Sequence, residues 1–195
     1  SMETNFHYKQ ALQVQIREAY GRVVYTYTTH LKMMNRLVEK NNKIKYIQIV
    51  LSAISTGGFI GAIITSEEAL TCLGGLFSTI LLAINLFFKD FNLVSEIKQH
   101  RDAADELWMV REDYISLLTD FEVLSEAEII SKRDLLQKQT FEIYKTAPKT
   151  DSKSYSDAKR ALKTEEEQFF TPEEIDQMLP AHLRITRAGA EPTDK

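Results

Sequence analysis

Residues 46–65 read YIQIVLSAISTGGFIGAIIT, and residues 69–88 read ALTCLGGLFSTILLAINLFF. Neither stretch holds a charged side chain. Twenty helical residues rise about 30 Å, the thickness of a bilayer's hydrocarbon core. Each run therefore meets the length and composition of a transmembrane helix. Only Ser66-Glu67-Glu68 separates them. A connector that short forces the two helices to be antiparallel neighbours. The competing reading is a buried helical hairpin inside a soluble bundle, since both runs carry glycines and hydroxyls.

The flanks set an orientation. Lys32, Arg36, Lys40, Lys43 and Lys45 precede the first run, Lys89, Lys98 and Arg101 follow the second, and the connector has no basic residue. Lys and Arg accumulate on the cytoplasmic side of short membrane hairpins, so both termini are expected in the cytoplasm. Tyr46, Phe87, Phe88 and Phe91 sit where an interfacial zone would lie.

The rest of the chain has the opposite character. The 195 residues include 24 Lys plus Arg and 28 Asp plus Glu, and apart from Glu67 and Glu68 all of these charges lie outside residues 46–88. A net charge of -4 argues against direct nucleic-acid binding, which calls for a basic face. A single cysteine, Cys72, excludes an internal disulfide framework and a multi-cysteine zinc site. Ser1 ahead of Met2 is expected to be a cloning remnant, and the polar start shows no signal-peptide run.

Before the first span, apolar residues recur at Leu12, Ile16, Tyr20, Val23, Tyr27, Leu31, Met34 and Val38, in steps of three and four. This is the signature of an amphipathic helix, expected from near Asn5 into the first span. After the second span the same spacing links Leu93, Ile97, His100, Ala104, Leu107, Arg111, Tyr114, Leu118 and Phe121. The two stripes are expected to face each other as a cytoplasmic stalk, with Trp108 and Tyr114 on or near the seam. Ser125 to Glu128 reads as a capping box that opens a helix ending before Pro148. A polar linker over residues 149–154 and a helix over 155–169 follow. The run Glu165-Glu166-Glu167 reads as a solvated face. Thr171-Pro-Glu-Glu174 is a second capping box with proline at the first helical position. Residues from about Thr186 are expected to be disordered. The fold class is thus all-α: a two-span hairpin (46–88), an N-terminal amphipathic helix (5–45), further cytoplasmic helices (89–147) and a small helical tail (148–195).

Inside the spans, Ala53, Gly57 and Gly61 form a small-residue stripe of the kind that lets helices approach closely in lipid. Gln48, Ser52 and Thr56 form a polar stripe beside it. In the second span Thr71, Ser78 and Asn85 repeat every seven residues, with Gly74 and Gly75 on the same side. Gln48, Ser52, Thr56, Gly57, Gly61, Thr71, Gly75, Ser78 and Asn85 are therefore the candidate pore-lining or span-packing residues. Packing between helices is one use of these faces. Lining a water-filled lumen is the other, and it requires a homo-oligomer, because one hairpin cannot enclose a pore.

No enzyme site is legible. Gly57-Gly-Phe-Ile-Gly61 lacks the strand and helix context of a dinucleotide fingerprint. The histidines His7, His30, His100 and His182 are read as scattered single surface or seam residues, Cys72 has no charged activator, and neither a metal nor a cofactor is expected.

This order of parts resembles the SLATT domain, a two-transmembrane effector of bacterial conflict systems. The likeness rests on the long helix before a glycine-bearing span, the short turn, the second span, and the segments Trp108-Met-Val-Arg111, Tyr114-Ile-Ser-Leu-Leu118 and Phe170 to Pro180. It spans about residues 10–183. The ending is similar to one SLATT subgroup often encoded beside reverse transcriptases. The resemblance implies a pore-forming effector of antiphage defence (abortive infection) in the bacterial inner membrane. Its partners would be the lipid bilayer, further copies of the chain, and a separately encoded sensor such as a reverse transcriptase or a nucleotide second-messenger synthetase. The alternative is a membrane-anchored helical adaptor without pore activity. A soluble helical regulator is a third reading.

Overall fold

A computed structural model describes residues 2–89, 91–167, 169–178, 180 and 182. Every regular element of more than one residue among them is an α-helix. The helices are α1 (Met2–Thr65), α2 (Glu68–Lys89), α3 (Leu93–Thr119), α4 (Glu126–Thr146), α5 (Ser152–Lys163) and α6 (Pro172–Met178).

α1 runs unbroken for 64 residues, roughly 95 Å at the helical rise. No proline interrupts it. Gly21 stands in open space, where it costs about 1 kcal/mol against alanine. Ser66 ends the helix by taking a left-handed φ of 58°, while its amide still donates to the Ala62 carbonyl at 2.8 Å. The turn is thus tighter than the three-residue connector of the sequence reading, and Glu68 enters the first turn of α2. A carboxylate there complements the positive end of the helix dipole.

Cross-helix pairs give the topology. Lys9 meets Glu122 at 3.4 Å, His30 meets His100 at 2.8 Å, and Gln48 meets Asn85 at 2.7 Å. As numbers rise on α1 they fall on α2 and α3, so the returning limb is antiparallel throughout. That limb is not continuous: α2 ends at Lys89, and Asn92 caps α3 by accepting from the Ser95 amide at 3.0 Å. α4 runs the same way as α1, as shown by Arg133 donating to Gln15 at 3.0 Å and Tyr144 donating to Thr26 at 3.1 Å.

The half of the molecule distant from the hairpin has a conventional core. Leu12, Ile16, Ala19 and Val23 of α1 meet Leu107, Val110, Tyr114, Leu117 and Phe121. Ile129, Leu136 and Ile143 of α4, spaced by seven, close the third side. Ser125 forms both arms of the expected capping box: its hydroxyl accepts from the Glu128 amide, and Glu128 accepts from its amide at 2.8 Å. Those hydrogen bonds lower the Glu128 pKa. Thr171 and Glu174 repeat the device at α6.

Three expectations need correction. Trp108 is not on the seam but 44% exposed, whereas Tyr114 is buried. The expected linker over residues 149–154 instead contains a helix start. Asp151 accepts from the Ser154 amide at 2.7 Å and begins α5, because an aspartate at that position satisfies an open helical N–H. That helix ends at Lys163 rather than at residue 169. The acidic run is exposed as expected, with Glu167 pairing with Lys32 at 2.9 Å and Glu165 with Arg160 at 3.2 Å on the surface. The tail beyond Thr186 lies outside the described residues.

Candidate functional site

Along the hairpin, α1 and α2 approach closely because two glycines lie opposite each other. A Cβ at Gly58 would lie 3.1 Å from the Gly74 Cα and 3.2 Å from the Leu70 carbonyl oxygen. One at Gly74 would lie 3.2 Å from the Ser55 carbonyl oxygen. These neighbours are backbone atoms, so they cannot rotate away. Ser55 is buried in this contact, donates to the Gly74 carbonyl at 3.2 Å and is hydrogen-bonded to Ser78. Two turns below, Gln48 Nε2 donates to Asn85 Oδ1 at 2.7 Å. Gly61 faces the Leu70 side chain, whose Cδ1 would lie 3.1 Å from a Cβ placed there.

The other candidates fall elsewhere on the helices. Ser52, Thr56, Gly57 and Thr71 are exposed, and Gly57 and Gly75 have open space where a Cβ would be. Among the described residues, the side-chain hydroxyls of Ser52, Thr56 and Thr71 make no hydrogen bond within the chain. So the chain itself joins Gln48, Ser78, Asn85 and Gly61 across the hairpin, and leaves Ser52, Thr56, Gly57 and Thr71 facing out. The outside is otherwise apolar: Ile63 is 82% and Ile64 77% exposed. In each span only 6% of the most apolar 18-residue stretch is buried within the chain. A core helix of a soluble bundle would be mostly buried over that stretch. The exposed apolar surface needs lipid or other copies to cover it.

Ser55, Gly58 and Gly74 were not among the sequence candidates. The polar stripe of the first span is too sparse to choose the contact face: Gln48 lies on that face, whereas Ser52 and Thr56 point outward. A cue was available in Gly58 and Gly74 each standing beside another glycine, but it could not separate Gly58 from Gly57.

Below the hairpin two further clusters tie the returning elements to α1. The expectation of single histidines is overturned: His30 and His100 are buried with their Nδ1 atoms 2.8 Å apart. Burial, reinforced by His100, lowers the His30 pKa to about 4, and burial also lowers that of His100, against the opposing pull of Glu96 and Asp151. One level away, Arg36 Nη1 donates to both Asp151 carboxylate oxygens, at 2.8 and 2.7 Å, and to Ser154 Oγ at 3.0 Å. The Ser154 amide and then Arg36 lower the Asp151 pKa to about 2. Among the described residues no three His, Cys, Asp or Glu side chains converge as a metal site would require.

The chain matches, over residues 12–174, the family described as SMODS and SLOG-associating 2TM effector domain family 4. It belongs to the SLATT family. No curated protein and no solved structure matches it. The SLATT match begins at Leu12, the first buried residue of the core, and ends at Glu174, in the capping box of α6. The SLATT unit in this chain is therefore the hairpin and the helical bundle together, not the hairpin alone. The family's two transmembrane segments correspond to the upper part of α1 and to α2, the two helices long and apolar enough to cross a membrane.

Proposed function

We propose that this SLATT protein is an oligomeric, membrane pore-forming effector of a bacterial antiphage system that acts by abortive infection. The observation that carries the reading is the outward placement of Ser52, Thr56 and Thr71 on largely apolar spans, their hydroxyls without a hydrogen bond within the chain. Hydroxyls left in lipid are costly, and several hairpins side by side can turn them toward one another or toward a shared lumen. The outward Gly57 supports close approach between copies. The Lys and Arg residues at the open end of the hairpin favour an inner-membrane orientation with both termini in the cytoplasm. The bundle would then stand in the cytoplasm, where a separately encoded sensor, such as a reverse transcriptase or a nucleotide second-messenger synthetase, can act on it.

The test is induction in a bacterial host loaded with a membrane-potential dye, with and without the neighbouring genes under phage challenge. Depolarisation that depends on infection or on the partner is the expected result. An undisturbed potential in every condition, with the protein located in the membrane, would refute the pore and leave the adaptor reading.

A further inference from the structure

The His30–His100 pair is the one place below the hairpin where α1 and α3 are joined by a buried polar contact between titratable side chains, among the described residues. Both rings are almost fully buried, and the two Nδ1 atoms lie 2.8 Å apart. At that distance one ring must donate and the other accept, so the contact needs both imidazoles neutral, or one proton held between them. The second nitrogen of His100, Nε2, is buried without a hydrogen-bond partner. The nearest carboxylate, Glu96, is 3.9 Å away on the same helix. The arrangement fits His100 accepting from His30 at Nδ1 while its Nε2–H points toward Glu96.

We infer that the His30–His100 pair is a proton-sensitive latch that holds the α1–α3 junction closed while both rings are neutral and releases it when they are charged. Two imidazolium groups would place N–H donors face to face at 2.8 Å, which no rotation at this separation satisfies. Released rings, in contact with water, would hold their protons normally.

The charged groups around the pair do not cancel this effect. On α3, Glu96 can offset one charge at His100. At the start of α5, Asp151 faces His100 but is already held by Arg36 of α1. Lys32 of α1 is paired with Glu167. On the side of α3 toward α4, Asp102 is paired with Lys98, and Glu142 of α4 lies 4.0 Å from Lys145. Glu106 lies beside Asp102 on that same surface.

Linkage sets the direction of the effect. His30 ionises at about 4 in the closed junction against 6.5 in water, so the closed state binds fewer protons than the open one. Its advantage is complete above about pH 6.5 and is lost as pH falls from 6.5 toward 4. From pH 7.5 to 5.5 the His30 contribution alone favours the open junction by about tenfold, and His100 acts in the same direction. This device does not depend on the hairpin conducting ions, so its test is separate from that of the pore.

The experiment uses the full chain in lipid nanodiscs. Spin labels at Asn35→Cys and Gln99→Cys, in a Cys72→Ser background, report the α1–α3 distance. Ring-nitrogen magnetic resonance of the unlabelled wild type follows all four histidines. A longer-distance population growing between pH 7.5 and 5.5, absent from His30→Gln/His100→Gln, is expected, together with two imidazoles that take up protons only as that population grows and stay neutral in the closed one. A distance that does not change with pH in the wild type, a change that persists in the double variant, or four histidines all titrating near 6.5 would overturn the latch. The ring titration needs no variant, so the inference stays testable if the double substitution fails to fold.

Discussion

The upper and lower halves of α1 are one continuous helix built for two different surroundings. The lower half buries Leu12, Ile16 and Val23 against α3 and α4 and leaves its charges outside. The upper part, residues 46–65, has no charges, buries Ser55 and half-buries Gly58 against α2, and turns isoleucines outward. In water, apolar area drives the packing, so the largest side chains are inside. In lipid that drive is absent between helices, so the smallest residues and the hydroxyls form the contact. The two halves should therefore fail in opposite ways: the bundle when a side chain is made smaller, the hairpin when one is made larger.

The largest expected effect is in the bundle. Leu107 is fully buried in the centre of its core, and Leu107→Ala should cost about 3 kcal/mol, read as a lower thermal midpoint of the purified protein. A midpoint unchanged within a degree would mean that the bundle core does not govern stability.

Next comes the hairpin. Gly58→Leu drives a side chain into the Gly74 backbone and should destabilise the contact by about 1–3 kcal/mol. The readout is loss of cross-linking between Ser55→Cys and Ser78→Cys. Gly57→Leu meets open space within the chain, so it should leave that cross-link intact and weaken only association between copies. Equal loss in both variants would erase the distinction between inner and outer hairpin faces.

A smaller effect lies where the bundle is tied to α1. Asp151→Ala removes the α5 cap and the partner of Arg36, at about 1 kcal/mol for the cap. The ion pair adds little because both side chains are about a third exposed or more. The Asp151 carboxylate titrates near 2 rather than 3.8. Its contribution is thus complete above about pH 4 and is lost as pH falls through about 2. The wild type and the variant should converge in stability across that window, and a gap that stays constant down to pH 2 would contradict the assignment.

The smallest effect is expected from Asn85→Leu, which removes the hydrogen bond from Gln48. Such contacts in membranes average about 0.6 kcal/mol, so folding should hardly change. Toxicity in cells should fall if Asn85 also serves an assembly of hairpins.

Much of this could be read without coordinates. Two uncharged runs of twenty residues joined by Ser66, Glu67 and Glu68 define an antiparallel hairpin through length and charge alone. The Ser125 and Thr171 capping boxes mark helix starts because their chemistry is local. What could not be read is which residues face each other. The Asp151 cap on Ser154, three residues on, was within reach of a sequence reading, but its pairing with Arg36, 115 positions away, was not. His30 and His100 looked solitary for the same reason, being 70 positions apart.

The sequence by itself determined that the chain is all helical, that two helices suit a bilayer, and where most helices start, since each depends on composition or on neighbours a few residues away. The tertiary structure alone decided that Gly58 and Gly74, rather than Gly57 and Gly75, set the helix approach, and that two histidines share one buried hydrogen bond. Those outcomes depend on how α1 and the returning limb are rotated about their axes. The spacing of polar and apolar residues along one helix is too coarse to fix such a rotation or to say which residue of the other limb each one meets.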